Sequence, residues 1–233
     1  MDLRDVSSNP HRHPWELSRA DSLLKLVEAL NIKGTVLDIG CGDGYFDTRL
    51  VSSISEIEKI WGLDINFKEN FNEGNISFVS DLVDLPEGKF DAIFMLDVLE
   101  HIEDDFGYLR DIKSRLSPQG KLVLTVPAFN RIFSKHDRAA KHFRRYSLSQ
   151  ILNLFKHSGF KVQEASYFYA SLLPIRIATL NRPPKVNEWK YAEKSIITTL
   201  VRNILNFDFC ICRTLSAFGI RLKGLSLFVV AEL

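Results

Sequence analysis

The stretch "TVLDIGCGDGYF", residues 35–46, decides the fold. Val36, Leu37 and Ile39 read as a buried strand with one acid, Asp38, inside it. Gly40, Gly42 and Gly44 then leave the chain almost without side chains before "YFDTRLVSSI", residues 45–54, which reads as a helix. A strand that runs through such a loop into a helix leaves room for close approach by a ligand or by another part of the chain. The spacing, GxGxG, narrows the ligand. A nicotinamide-binding loop, GxGxxG, needs its third glycine where Tyr45 stands, and no Gly-Lys-Ser/Thr follows to cradle a phosphate.

Strands and helices alternate on both sides of this loop. "WELSRADSLLKLVEAL" (15–30) places Leu23, Leu26, Val27 and Leu30 at helical spacing. "KIWGLDI" (59–65), "ISFVSDL" (76–82), "KFDAIFML" (89–96) and "KLVLTVPA" (121–128) read as strands. Asp104–Leu116 reads as a helix stopped by Pro118 and Gly120. "SLSQILNLFKHSG" (147–159) reads as a helix capped by Ser147 and ended by Gly159. "FKVQEASYF" (160–168) and "LKGLSLFVVAEL" (222–233) supply the last two strands. The alternation predicts an α/β, doubly wound, mostly parallel sheet in one domain, residues 1–233. Residues 170–221 break the rhythm, with apolar helical segments on either side of the polar "NRPPKVNEWK" (181–190). About fifty residues are too many for a hairpin loop, so this reads as a helical insertion between strands six and seven.

Composition bounds the setting. The 233 residues are 45% hydrophobic and 25% charged, with a formal charge of +1, which is ordinary for a soluble globular protein. Balanced charge without a basic stripe predicts no nucleic-acid partner. The N-terminus has no apolar core of signal-peptide length, and Cys41, Cys210 and Cys212 fit a reduced, cytoplasmic setting. Cys210 and Cys212 make a CxC too sparse for zinc, so no metal is expected. No apolar run reaches the roughly 18 residues that span a bilayer.

In an open α/β sheet, ligands sit beyond the carboxyl ends of the strands. Asp64 ends the second strand, where a carboxylate can accept both hydroxyls of a ribose. Asp81, with Leu82 beside it, follows the third strand and suits an adenine amino group. Leu96 ends the fourth strand and can pack on a purine face, while Asp38 can receive an ammonium. Together these ask for an adenosine with an amino-acid tail and no phosphate, which describes S-adenosylmethionine.

"VLDIGCGDG", "LDI" ending in Asp64, "DLPEGKFDAIFMLDVLEHIEDD" and "LSPQGKLVLTVPA" resemble the successive motifs of class I S-adenosylmethionine-dependent methyltransferases, over roughly residues 30–168. The resemblance implies a Rossmann-like seven-stranded sheet whose last strand is antiparallel. It also implies cofactor contacts from Asp38, Gly40, Gly42, Asp64, Asp81 and Leu82. "HPWELSRADSLLKLV" is similar to an N-terminal helix that closes over the cofactor in bacterial methyltransferases of polysaccharide and antibiotic loci. By that likeness residues 1–31 form a helical lid, Arg19 binds the methionine carboxylate and Trp15 covers the cleft. "VPAFNRIFSKHDRAAKHFRRYS" is similar to the segment after the fifth strand in the same subgroup.

Methyl transfer from a sulfonium leaves a neutral thioether, so alignment supplies most of the catalysis, about 7–11 kcal/mol at best. A hydroxyl acceptor must also lose its proton. His136, Asp137 and His142 are the available bases; the competing reading of His136 and Asp137 is a turn-capping pair. Arg144, Arg145 and Tyr146 suit an anionic substrate, unless the arginines pair with acids of neighbouring helices. His101, where the fourth strand meets its helix, orients cofactor or substrate, or caps local backbone. The expected activity is methyl transfer to a small-molecule, lipid-linked or glycan-type acceptor at oxygen. N- or C-methylation of a metabolite, or cofactor binding without catalysis, are the alternatives. The apolar insertion leaves a homodimer contact or a peripheral membrane contact open.

Overall fold

The computed structural model describes residues 11–180 and 190–233. The first ten residues of the expected lid and residues 181–189 of the expected linker lie outside the described residues. Helix α1 (Pro14–Ala29) leads into β1 (Gly34–Ile39), α2 (Tyr45–Ser53) and β2 (Ile57–Leu63). Next come β3 (Phe71–Glu73), β4 (Ile76–Val79), β5 (Phe90–Leu96), α3 (Asp105–Arg115) and β6 (Leu116–Pro127). The chain then forms α4 (Lys135–Ala139), α5 (Leu148–His157), β7 (Lys161–Phe168), α6 (Leu172–Ala178), α7 (Ile196–Ala217) and β8 (Ser226–Glu232).

The strands lie in the order β3-β4-β2-β1-β5-β6-β8-β7. The last strand, β8, is antiparallel to both its neighbours, as expected. The sheet has eight strands, however, where the sequence predicts seven. The additional strand is β3, which pairs with β4 in a hairpin whose two-residue loop is Gly74–Asn75. Gly74 takes φ +57°, the left-handed backbone that such turns require.

Alternation within each strand splits the core between the two faces. Leu37, Ile93 and Leu122 pack with Leu109, Ile112, Ile151 and Phe155 of α3 and α5 on one side. Val36, Phe94 and Val123 pack with Leu23, Leu26, Leu50 and Phe209 of α1, α2 and α7 on the other. Burying each such side chain is worth about 1.5–3 kcal/mol. The predicted caps of α5 form: Ser147 and Gln150 make a reciprocal capping box, and Gly159 closes the helix at φ +80°.

The insertion folds back as helices. One face of α7 buries Leu205, Phe209 and Cys212, and α7 runs along α1. Asp21 of α1 accepts hydrogen bonds from Arg202 Nη2 at 2.6 Å, Arg49 Nη1 at 2.8 Å and Asn206 Nδ2 at 3.0 Å. The other face of α7 exposes Ile196, Leu200, Ile204, Phe207 and Cys210. Among the described residues no helix is long and apolar enough to cross a membrane. β1 lies between β2 and β5, the point where strand order reverses, so the loops after β1 and β5 open a cleft at the carboxyl edge of the sheet.

Candidate active site

The glycine loop owes much of its composition to the protein itself. Gly40 and Gly44 hold φ +71° and +70°, a region costly for residues with a Cβ. A Cβ on Gly40 would lie 2.4 Å from Val98 Cγ2, and one on Gly44 would lie 2.4 Å from Phe78 Cζ. The β5–α3 loop therefore packs directly onto the loop after β1. Gly42 donates its N–H to Asp64 Oδ2 at 3.0 Å. Asp64 Oδ1 accepts from Asn66 N at 2.9 Å and Asn66 Nδ2 at 2.8 Å. Three of the carboxylate's roughly four acceptor positions are thus filled, and a ribose diol would displace the Asn66 side chain.

Two acids sit beneath this loop. Asp38 and Asp47 are buried, and Asp38 Oδ1 and both Asp47 oxygens have no hydrogen-bond partner among the described residues. Burial raises the pKa of both, and for Asp47 the neighbouring Asp38 charge adds to it. The unpartnered Asp38 Oδ1 is a ready acceptor for an ammonium group. This orphaned oxygen fits the amino-acid tail of S-adenosylmethionine.

Arginines from the N-terminal side cross the cleft. Arg12 pairs with Asp43 and lies 3.8 Å over the Tyr45 ring. Arg19 pairs with Asp97 and lies 4.9 Å from the Trp15 ring. The cleft brings together Arg12, Arg19, Asp38, Gly40, Tyr45 and Leu96. Asp81 and Leu82 are not in its lining; Asp81 is exposed and caps its own turn through Val83 N at 3.1 Å. Sequence reasoning missed Arg12, Asp43, Asp47 and Asp97. An acid in the first turn of α2 reads as a complement to the helix dipole, which hid Asp47.

The segment after β6 is organised by Asp137, which is fully buried. Its carboxylate accepts from Ser134 N at 2.8 Å, Arg145 Nε at 2.6 Å and Arg176 Nη2 at 3.1 Å, and meets His142 Nδ1 at 3.2 Å. Burial pushes its pKa up, but His142 and Arg145 outweigh burial and hold it well below the usual carboxylate range. Both oxygens are engaged in holding the loop, and Asp137 forms a capping box with Ser134. Tyr146 is buried and donates to Asp105 Oδ2 at 2.9 Å. Arg144 pairs with Asp105 at 2.8 Å, as the alternative reading has it. His136 stays beside the hub; partial burial and then the Arg176 charge lower its pKa and favour the neutral ring. His101 meets His142 edge-on at 4.6 Å.

With this geometry in place, a family model described as a methyltransferase domain matches residues 12–165. The chain belongs to this methyltransferase family. The methyltransferase is 34% identical over 111 residues to the tRNA U34 carboxymethyltransferase of Campylobacter curvus, covering 42% of this chain and 37% of that one. It is 31% identical over 153 residues to the enzyme of the same name from Campylobacter hominis, covering 60% and 50%. The chain thus spans about a third to a half of the length of these curated relatives. A crystal structure of an S-adenosylmethionine-dependent methyltransferase from Mesorhizobium loti shares the fold, with TM-score 0.59 at 17% identity, over 92% of this chain and 100% of that one. S-adenosylmethionine is the methyltransferase's cofactor.

The relatives overturn two expectations, the small-molecule or glycan-type acceptor and the absence of a nucleic-acid partner. The structure shows what the sequence reading overlooked. Between residues 131 and 145 the one acid, Asp137, is buried, while Arg131, Lys135, Arg138 and Lys141 are exposed. Among the described residues none of these four is in an ion pair. A near-neutral total charge conceals this local concentration.

Proposed function

We propose that this methyltransferase modifies a tRNA, with the 129–146 segment facing the nucleic acid. The four exposed cations around the buried Asp137 hub carry this reading, and the curated relatives support it. Phosphate contacts position a nucleic acid without reading its sequence, and lysines and arginines outside any ion pair among the described residues are suited to that work. The exposed Arg221 and Lys223 enter β8 at the same sheet edge, where Ala128 N donates to Leu225 O at 2.9 Å. The narrower likeness to methyltransferases of polysaccharide and antibiotic loci does not enter the proposal, because the relatives are named for tRNA.

S-adenosylmethionine supplies an activated methyl whose leaving group is a neutral thioether. Asp64 would hold the ribose, Asp38 the ammonium, and Leu96 the purine face. Asp81 is kept as a contact to the adenine edge, through the oxygen it does not use in capping. Residues 1–31 act as a lid, supported by the bridges from Arg12 to Asp43 and Arg19 to Asp97. The insertion, residues 170–221, builds one wall of the acceptor site, supported by Arg176 of α6, which reaches Ser134 Oγ at 2.6 Å. His136, neutral and next to the hub, is the base available to an acceptor.

Binding of bulk tRNA measured across salt concentrations tests this reading. Affinity should fall steeply with salt, and replacing Arg131, Lys135, Arg138 and Lys141 with Gln should lower the log–log slope by about 3, at roughly 0.7–0.9 per phosphate contact. Equal affinity and slope in the quadruple variant would refute the assignment of this face.

A further inference from the structure

Glu100 lies in the short turn Leu99–His101 that follows β5. It is 1% exposed, and neither carboxylate oxygen has a hydrogen-bond partner among the described residues. An unpaired buried carboxylate costs several kcal/mol unless it is protonated or meets a cation. The nearby guanidiniums are committed elsewhere: Arg19 to Asp97 and Arg145 to Asp137.

Two imidazoles converge on it. His101 follows it in the short turn Leu99–His101, and His142 arrives from the segment after α4. One ligand atom from each of Glu100, His101 and His142 lies within 4.8 Å of the others. The third element is anchored to the first, because Phe143 donates its N–H to the Glu100 carbonyl at 2.8 Å. The Asp137 carboxylate meets His142 Nδ1 at 3.2 Å, which leaves Nε2 as the nitrogen available to an ion. A carboxylate behind one ring nitrogen is the arrangement that orients a histidine and raises its basicity as a metal ligand.

We propose that Glu100, His101 and His142 form a binding site for one divalent first-row transition-metal ion, with Asp137 positioning His142 behind it. One carboxylate and two imidazoles favour zinc, manganese, iron or cobalt over magnesium or calcium, which prefer all-oxygen ligand sets. Metal bonds of about 2.0–2.2 Å bring ligand atoms to roughly 3–3.5 Å of one another, so the three side chains close slightly on the ion. Three protein ligands leave positions open, as at catalytic sites; structural zinc sites use four. The site adjoins the cleft, since Leu96 lines it and Val98 packs against Gly40. An open position can take an oxygen of the acceptor; this last step rests on the tRNA reading above, while metal binding does not.

The test titrates chelator-stripped full-length protein with Co²⁺ and Zn²⁺ alone, by absorption and calorimetry. One ion should bind per chain, with a cobalt spectrum typical of nitrogen and oxygen ligands. Glu100→Gln and His142→Ala should each weaken binding at least about tenfold, whereas His157→Ala on the exposed end of α5 should not. Binding of S-adenosylhomocysteine reports whether the variants are folded. Ring-nitrogen NMR shifts of His101 and His142 on adding Zn²⁺ to wild type give a readout that needs no variant. No stoichiometric binding, unshifted His101 and His142 rings, or undiminished affinity in both variants would overturn the site. Stoichiometric metal on these residues with tRNA left unmodified would instead refute the acceptor reading and leave the site standing.

Discussion

Removing the Asp64 carboxylate should damage cofactor binding in two separable ways. In Asp64→Ala the ribose loses a charge-assisted acceptor, a cost of about 1.5–3 kcal/mol. The same change frees Gly42 N–H, now held at 3.0 Å, and loosens the glycine loop by about another 0.5–1.5 kcal/mol. The sum, about 2–4.5 kcal/mol, corresponds to roughly 30- to 1500-fold weaker binding of S-adenosylhomocysteine. Asp64→Asn retains an acceptor for Gly42 and loses only the charge, so it should fall below that range, at about tenfold. Calorimetry of the two variants beside wild type measures both numbers, and thermal unfolding checks that the fold is intact. An Asp64→Ala affinity within about threefold of wild type would refute the placement of the ribose. Equal losses in the two variants would refute the role given to the Gly42 tether.

Asp21→Ala should unlatch α7 from α1 and cost about 1–2 kcal/mol after allowing for solvent screening of its arginines, measured by urea unfolding. Burial raises the Asp21 pKa, but the bonds from Arg202, Asn206 and Arg49 outweigh it and leave the pKa below its ordinary 3.8. That stability is therefore present above the ordinary value and lost as pH falls through the lower folded one, and Asp21→Asn should remove this part of the acid dependence. Gly40→Ala should destabilise by at least about 1–2 kcal/mol through its backbone angle alone. The added clash with Val98 should be relieved in the double variant with Val98→Ala, and no recovery in a thermal melt would contradict that contact. Asp137→Ala should cost about 3–5 kcal/mol, because Arg145 is left buried without its counter-charge. An unchanged melting temperature would show that Asp137 is not the hub.

Much of the fold was legible because the signals are local. Ser147, Gln150 and Gly159 mark both ends of α5 within one short stretch, and the alternation of Val36 with Leu37 announces a strand buried on both faces. The hairpin of β3 was not read from the sequence, because its three exposed residues carry no apolar pattern and only the Gly74–Asn75 pair marks the turn. The site was harder. Ser134 and Asp137 have the spacing of a capping box, but the adjacent His136 drew the pair toward catalysis. What decides the role of Asp137 is Arg145 and Arg176, which reach it from eight and thirty-nine residues away. Glu100 and His142 meet only because the segment after α4 returns to the end of β5, a juxtaposition that spacing does not encode.

The central claim is that a methyl group passes from S-adenosylmethionine to tRNA on this chain. The direct measurement incubates the protein with methyl-labelled S-adenosylmethionine, bulk tRNA and a divalent metal, then digests the tRNA to nucleosides for mass spectrometry. The account predicts label in a single modified nucleoside, lost in Asp64→Ala and reduced in the Arg131, Lys135, Arg138 and Lys141 to Gln variant. Protein that binds the cofactor yet leaves every nucleoside unlabelled would contradict it.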